Sequence, residues 1–472
     1  MAPMSPGAWL EALGSRLDEQ ADRVQVFRDY YDGKHRLQFA TAKFKEAFSR
    51  FFPPMANNWM QLVVDAAVER LEVQGFRFEA DPGKPEWDQE ADDDAWQIWQ
   101  ANGLDELSII AHTEAIKCGM AYAMVEPREA GPRITIESPL QVIVATAPGD
   151  RRERLAALKR WVDEDGFIYA TLYLPDALHK FRSTRKAKTY AGSRIEWARR
   201  RDDPGGLHSL GTVPIIPLEN DPDLLYGGRS DLMVGIPIQD AVNKLCLDMQ
   251  VSSEFHAYPQ RTATGWEVPR DADGNVDRNF ALRASQGHVW VSEDPDAKFG
   301  QLEPGNVANY IQPIELYIDH LAAQTRTPAY YLKGKMANLS AEALKAAETG
   351  LVYRCKRKTL SFGEGWEETM RLAFKAKGDE KRSRTMTAET IWADPESRSL
   401  AQVVDAAVKL RDSLSLPVEM CWQIVGMSPQ QIRQAKQIIG LPDRVPTANN
   451  GGTNGAGNPA RVVLPVGTRS TE

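Results

Sequence analysis

Apolar residues along the first thirty positions return at helical spacing. Trp9, Leu10, Leu13, Leu17, Val24 and Phe27 share one face, which predicts a helix over 6–31 that breaks at Gly33. In "NNWMQLVVDAAVERLEVQGFRF" the residues Met60, Val63, Ala67 and Leu71 form a second face, with Asn57 or Asn58 as cap and Gly75 suited to the C-terminal turn. Residues 92–119 predict two more helices. From 120 to 225 the period changes to two, in runs such as "AYAMVEP", "RITIES" and "QVIVAT" bounded by Gly, Pro and Asp, and a mostly antiparallel sheet is expected. A helix is expected over 229–258, with Ile238, Val242, Leu245, Met249 and Ser252 in one stripe and Pro237 limiting its first turn. A Gly/Pro/Asp-rich insertion, 259–305, separates it from a helix over 306–325 carrying Ile311, Ile314, Ile318, Leu321 and Ala322. The loop "TRTPAYYLKGKMANLS" leads into a long helical pattern, 340–376, with Leu344, Ala347, Leu351, Cys355, Phe362 and Trp366. Gly363 and Gly365 predict a kink there. Further helices are expected over 396–440, and the low-complexity end, 443–472, is expected to be disordered. The succession is that of an α+β chain.

Composition narrows the possibilities. A chain of 472 residues suits about three domain-sized units. Its net charge of −8 argues against a protein that coats nucleic acid, though not against local basic surfaces. The four cysteines, Cys118, Cys246, Cys355 and Cys421, are far apart without a CxxC pair. They read as free thiols in a reducing compartment such as cytoplasm. No run approaches the ~20 apolar residues of a membrane span, and the first twenty residues lack a signal-peptide pattern.

Catalytic motifs are missing. Ala329 stands where a phosphate loop ending at Gly334-Lys335 needs its first glycine, and Met336 stands where it needs Ser or Thr. No histidines pair at i, i+3 or i+4, and no nucleophile elbow or dinucleotide loop occurs. No catalytic, cofactor or metal residue is therefore expected. Asp92-Asp93-Asp94 reads as a solvated helix start, and His112 as a satisfied or exposed helix residue.

Two features stand out. The segment 416–440 has helix–turn–helix rhythm, with Gly426 in the turn and Ile432 six positions on; a DNA reader would aim Gln430, Gln431, Arg433 and Gln434 at bases. Ser428-Pro429 and Trp422 depart from that pattern. The other feature is a set of cations beside helix ends: Arg326, Lys333 and Lys335 in the loop, then Arg354, Lys356, Arg357 and Lys358, a cluster that reads as a solvated face.

The order of these segments resembles the portal proteins of tailed, siphophage-type bacteriophages over about residues 20–440. "YYDGKHRL", "NNWMQLVVDAAVERLEVQGFRF", "GRSDLMVGIPIQDAVNKLCLDMQVSSEFHAYPQRTATG" and "QTRTPAYYLKGKMANLSAEALKAAETGLVYRCKRKTLSFGEGWEETMRLAF" carry the resemblance. It implies a wing (1–228), stem helices (229–258 and 306–325), a β-rich clip (259–305), a tunnel loop (326–339), a long wing helix with the wing's return (340–395) and a helical crown (396–442). It also implies a dodecameric ring at one capsid vertex, assembled in the host cytoplasm, that passes double-stranded DNA without reading its sequence. Terminase and then a head–tail connector would dock on the clip through Arg261, Trp266, Trp290 and Lys298; capsid and scaffolding proteins would be further partners, with no membrane and no enzymatic activity. Arg326, Lys333, Gly334, Lys335 and Asn338 would face DNA. Ile238, Val242, Leu245, Met249, Ile314 and Ile318 would pack subunits together. The alternative is a helix–turn–helix regulator built on 416–440.

Overall fold

The computed structural model describes residues 4–35, 57–79, 89–186, 195–225, 227–257, 261–265, 270, 273, 275, 295–301, 306–334, 340–396 and 400–439. Two compact units divide the chain, residues 1–399 and 400–472.

In the first unit, α1 (Pro6–Tyr31) is capped by Ser5, whose side chain accepts the Ala8 N–H, with Pro6 in the first turn. Helix α2 (Trp59–Val68) is capped by Asn58. It ends before Gly75, which lies instead in strand β1 (Val73–Arg77) at a register shift. Helices α3 (Gln89–Ala101) and α4 (Leu104–Cys118) follow, separated by Gly103 at φ 62°. The sheet region contains β2 (Met120–Glu126), β3 (Arg133–Glu137), β4 (Val142–Ala147), β5 (Asp150–Val162), β6 (Phe167–Tyr173), β7 (Ala177–Lys186), β8 (Trp197–Arg199), β9 (Gly205–Leu207) and β10 (Ile215–Glu219). Their pairings are antiparallel: β10-β2-β3 form one sheet, and β4-β5-β6-β7-β8 another, with β9 on β7. Leu10, Leu13 and Leu17 of α1 cover one face of the larger sheet at Ile143, Leu158, Ala170, Leu172 and Phe181.

Helix α5 (Ile236–Ala257) starts seven residues later than expected, because 231–235 turn first. Strands β11 (Arg261–Thr264) and β12 (Lys298–Gln301) pair in the insertion. After a 3-10 turn, Val307–Tyr310, come α6 (Ile311–Thr325), α7 (Ala329–Lys333), α8 (Ala341–Lys377) and α9 (Glu380–Ser383). Strand β13 (Glu389–Trp392) then returns to β1, nearly 320 residues earlier in the chain.

The largest core gathers α2, α3, α4 and α8 around the β10-β2-β3 sheet, with Trp99, Phe76, Phe362 and Trp366 among its largest buried side chains. Helix α8 runs unbroken from Ala341 to Lys377, through Gly363 and Gly365. Gly365 serves a close approach: a Cβ there would come within 2.5 Å of Leu218 Cδ2 on β10. Among the described residues no helix is long and apolar enough to cross a membrane.

The second unit consists of α10 (Leu400–Leu414), α11 (Val418–Ile424) and α12 (Pro429–Ile439), with Ala407, Cys421 and Ile432 buried.

Candidate functional site

The segment from α6 to α8 contains the loop singled out by its cations. Thr325 and Thr327 are buried on either side of Arg326. Thr325 donates its hydroxyl to the Leu321 carbonyl at 2.7 Å, and its Oγ1 lies 3.1 Å from Thr327 Oγ1. The Thr327 N–H bonds the Ala322 carbonyl, closing the helix end around Arg326 at φ 52°. A non-glycine residue in that left-handed region costs about 1 kcal/mol. Two anchored threonines thus turn the arginine between them out to the surface, where its guanidinium forms no ion pair among the described residues.

Beyond Pro328 the expected loop begins as one helical turn, α7, held from several sides. Leu332 is buried, and its carbonyl accepts from Trp59 Nε1 at 3.0 Å. Tyr330 donates to Glu348 Oε1 at 2.5 Å, while Arg70 pairs with Glu348 at 3.2 Å and donates to Tyr331 Oη at 3.3 Å. Burial first, then the Glu348 contact, push the Tyr330 phenol above its ordinary pKa. Lys333 is half-buried and paired with Asp319 at 2.5 Å. Gly334, exposed at φ 61°, ends the turn with open space around it. Lys335 and Asn338 lie outside the described residues.

Next to this turn lies the cluster 354–358, for which the sequence predicts a solvated face. Arg354 and Lys358, four residues apart on α8, are buried, whereas Lys356 and Arg357 are exposed. Both buried cations converge on Asp231. Arg354 reaches it at 2.5 Å through Nη2 and 2.8 Å through Nε; Lys358 Nζ lies 2.8 Å from Oδ2 and 2.9 Å from Oδ1. Lys358 also donates to Asn220 Oδ1 at 2.6 Å and lies 3.7 Å from Asp221. Arg354 donates to the carbonyls of Thr325 and Val63, each at 2.9 Å. Burial works against the charged Asp231, but Arg354 and then Lys358 outweigh it and hold the carboxyl well below its usual range. Asp231 thus ties α8 to the turn before α5, and Arg354, held by it, ties α8 to the end of α6 and to α2.

That cluster corrects the expectation for residues 354–358, and the sequence did contain its signal. Lys358 occupies the stripe Leu351, Cys355, Phe362, Trp366, where a charged residue requires a buried partner. Nothing in spacing marked Asp231 or Asn220, because their partners come from more than 120 residues away.

The expected stem stripe is first of all internal to the chain. Val242 is fully buried and Ile318 nearly so, while Ile238 and Ile314 pack half-buried on the same core. Leu245 and Met249 are half-buried on α5. In the insertion Arg261 opens β11 opposite Gln301, and Lys298 is exposed opposite Thr264. Trp266 and Trp290 lie outside the described residues.

One further expectation changes and another is narrowed to the satisfied of its two alternatives. Asp92 and Asp94 are not merely solvated: Asp92 accepts the Phe78 N–H at 2.8 Å, and Asp94 pairs with Arg382 at 2.8 Å and Lys377 at 3.3 Å. His112 is fully buried, stacked on Phe362 with ring centroids 4.9 Å apart, and accepts from Trp366 Nε1 at 2.9 Å. Burial lowers its pKa to about 3, so it is a neutral packing group.

In the second unit, Gly426 at φ 88° turns the chain between α11 and α12. Ser428 caps α12: its hydroxyl accepts the Gln431 N–H, and Gln431 Oε1 accepts the Ser428 N–H. Gln431, a residue expected to face bases under the alternative reading, is engaged in this reciprocal cap.

The family described as phage portal protein, SPP1 Gp6-like, matches residues 11–438. The portal protein of Mycobacterium phage L5 is 28% identical over 421 residues, covering 86% of this chain and 82% of that protein. The portal protein of Mycobacterium phage D29 is 29% identical over 422 residues, with the same coverages. Among solved structures, the virion of a native gene transfer agent particle contains a chain that aligns at TM-score 0.41 and 14% identity, over 81% of this chain and 88% of that one.

Proposed function

This chain belongs to the SPP1 Gp6-like family of phage portal proteins, and on that premise we propose that it closes into a dodecameric ring at one vertex of the capsid. Through the ring double-stranded DNA enters during packaging and leaves at ejection. The observation that carries this reading is the family match along residues 11–438; the outward-turned Arg326, beside a pinned turn bearing Lys333, gives it a physical form. Its role is structural rather than catalytic, in the virion.

In a cyclic assembly each residue recurs once per subunit, so Arg326, Lys333 and Lys335 become bands of positive charge around the axis. Phosphates meet those bands at every rotation, and no base edge is read. Few cations suffice, because a passage that neutralised many phosphates would retain its DNA. Gly334 and Asn338 complete the loop on the axial side. The wing comprises 1–228 with 340–395, the stem 229–258 and 306–325, and the crown 396–442. Leu245 and Met249 carry the stem contacts between subunits, since Val242 is spent inside the chain. Terminase, and later the connector, dock on the 259–305 clip at Arg261, Trp266, Trp290 and Lys298.

Native mass spectrometry with negative-stain imaging of the purified protein tests the ring. A species of about twelve subunits with annular views is expected. A stable dimer that shifts one specific duplex would overturn the ring and favour the helix–turn–helix regulator.

A further inference from the structure

Large apolar side chains at the surface form two patches on the first unit that differ in charge and direction. On α8, Tyr353 is 64% and Leu360 74% exposed, with the exposed cations Lys356 and Arg357 between them. Arg357 is occupied by Asp221 at 3.1 Å, which leaves Lys356 as the stripe's available cation; Glu364 adds one acid a turn further on. On α4, Ile109 is 53% and Ile110 48% exposed beside the acidic first turn, Asp105 and Glu106. Asp105 already accepts from Trp99 Nε1 and Gln100, so Glu106 is the available acid.

These patches face apart. The α4 and α8 helices touch where His112 stacks on Phe362. At about 100° per residue, Ile110 lies roughly 200° from His112, while Tyr353 and Leu360 lie roughly 180° and 160° from Phe362. The α8 stripe, Ile110 and, at about 120°, Glu106 are thus turned away from the contact the two helices share, with Ile109, about 60° from His112, exposed at its flank. The α4 patch carries only acids and cannot pair with itself; the α8 stripe has Lys356 and Glu364 on either side of Leu360, so its self-pairing is the rival that the single-cysteine variants below exclude. Opposite charge with matching apolar pairs on different sides of a subunit is the signature of a head-to-tail contact, which closes into rings.

We propose that the Tyr353–Lys356–Leu360 stripe of one copy seats on the Glu106–Ile109–Ile110 face of the next. This rests on the ring reading above and names surfaces that close it. Ile110 and Leu360 pack in the apolar centre, and Lys356 meets Glu106 at its edge.

The test is cysteine cross-linking of assembled protein carrying Ile110→Cys together with Leu360→Cys. The four native cysteines are buried, which keeps background coupling low. Mild oxidation should give a ladder of covalent oligomers on a non-reducing gel, while each single variant stays monomeric. An absent ladder, in a sample that native mass spectrometry shows to be ring-shaped, overturns this contact and leaves the ring standing. A covalent dimer from either single variant also overturns it, since that requires a self-complementary contact. Wild-type protein that forms no ring at any salt concentration overturns both. As a second measurement, Lys356→Glu and Glu106→Lys should each lower the ring fraction at fixed concentration at least fivefold. The two together should return it to within twofold of wild type; a double variant no better than the singles removes the pairing.

Discussion

Two groups of cations lie within about 30 residues of each other, and the protein treats them oppositely. Arg326 and Lys333 are at the surface, one unpaired among the described residues and the other against a half-exposed aspartate. Arg354 and Lys358 are in the core, sharing Asp231. The same side-chain chemistry serves display in one place and cohesion in the other. What separates them is which helix face they occupy and whether a carboxylate is buried with them. The groups are also joined, because Arg354 bonds the Thr325 carbonyl and, at 3.3 Å, Thr327 Oγ1, so the buried set fixes the backbone from which Arg326 projects.

Removing the shared carboxylate gives the sharpest break in this contrast. Asp231→Asn leaves buried Arg354 without a counter-charge and Lys358 with only Asp221 at 3.7 Å, and should cost about 3–5 kcal/mol in urea unfolding. Loss below about 1 kcal/mol would mean that water reaches the cluster. Gly228→Ala comes next. A Cβ there would stand 1.9 Å from the Gly119 carbonyl oxygen, beside Asn220, and should cost about 2–3 kcal/mol.

A third prediction concerns pH. His112 is neutral in the fold, with its pKa lowered to about 3 against 6.5 for the free side chain. Its contribution to stability is complete above about pH 6.5 and is lost as pH falls toward 3, because the unfolded chain then binds a proton that the folded one refuses. Between pH 7 and 5 wild type should lose roughly 1–2 kcal/mol. His112→Gln, which still offers Trp366 an acceptor, should flatten that slope, and an unchanged slope would assign it to other groups. Asp231, whose pKa is also lowered, adds to the loss only at more acid pH.

The smallest effect on stability belongs to the surface group. Lys333→Ala with Lys335→Ala should change unfolding by less than about 1 kcal/mol, since a partly exposed ion pair contributes little. In phage carrying both substitutions, genome packaging or retention should fall. Packaging at the wild-type level would remove the proposed role of the loop while leaving the buried cluster untouched.

Much of this fold was legible from period and punctuation. The stripe of α1 and the alternation of β2 to β10 follow from residues that neighbour one another in sequence. The misreadings share a cause, which is that distant partners decided them. Gly365 has no local reason to sit inside α8, and Leu218, packed against it, supplies one. Gly75 suits a helix end, yet β13 draws it into a strand. Lys358 interrupts an apolar stripe, and only Asn220 and Asp231 explain it. At the site, the loop's cations could be seen in the sequence, whereas the pinning of α7 by Trp59, Arg70 and Glu348 could not.

Helix α8 has a mechanical consequence. Its 37 residues make a beam of about 55 Å. One end begins at Ser340, just past the loop; beyond the other, Lys377 and Arg382 grip Asp94. The glycines that could have served as a joint sit in the unbroken helix, Gly365 wedged against Leu218. The loop and the Asp94 clasp are thus the two ends of one continuous helix, and a displacement at either has a direct covalent route to the other.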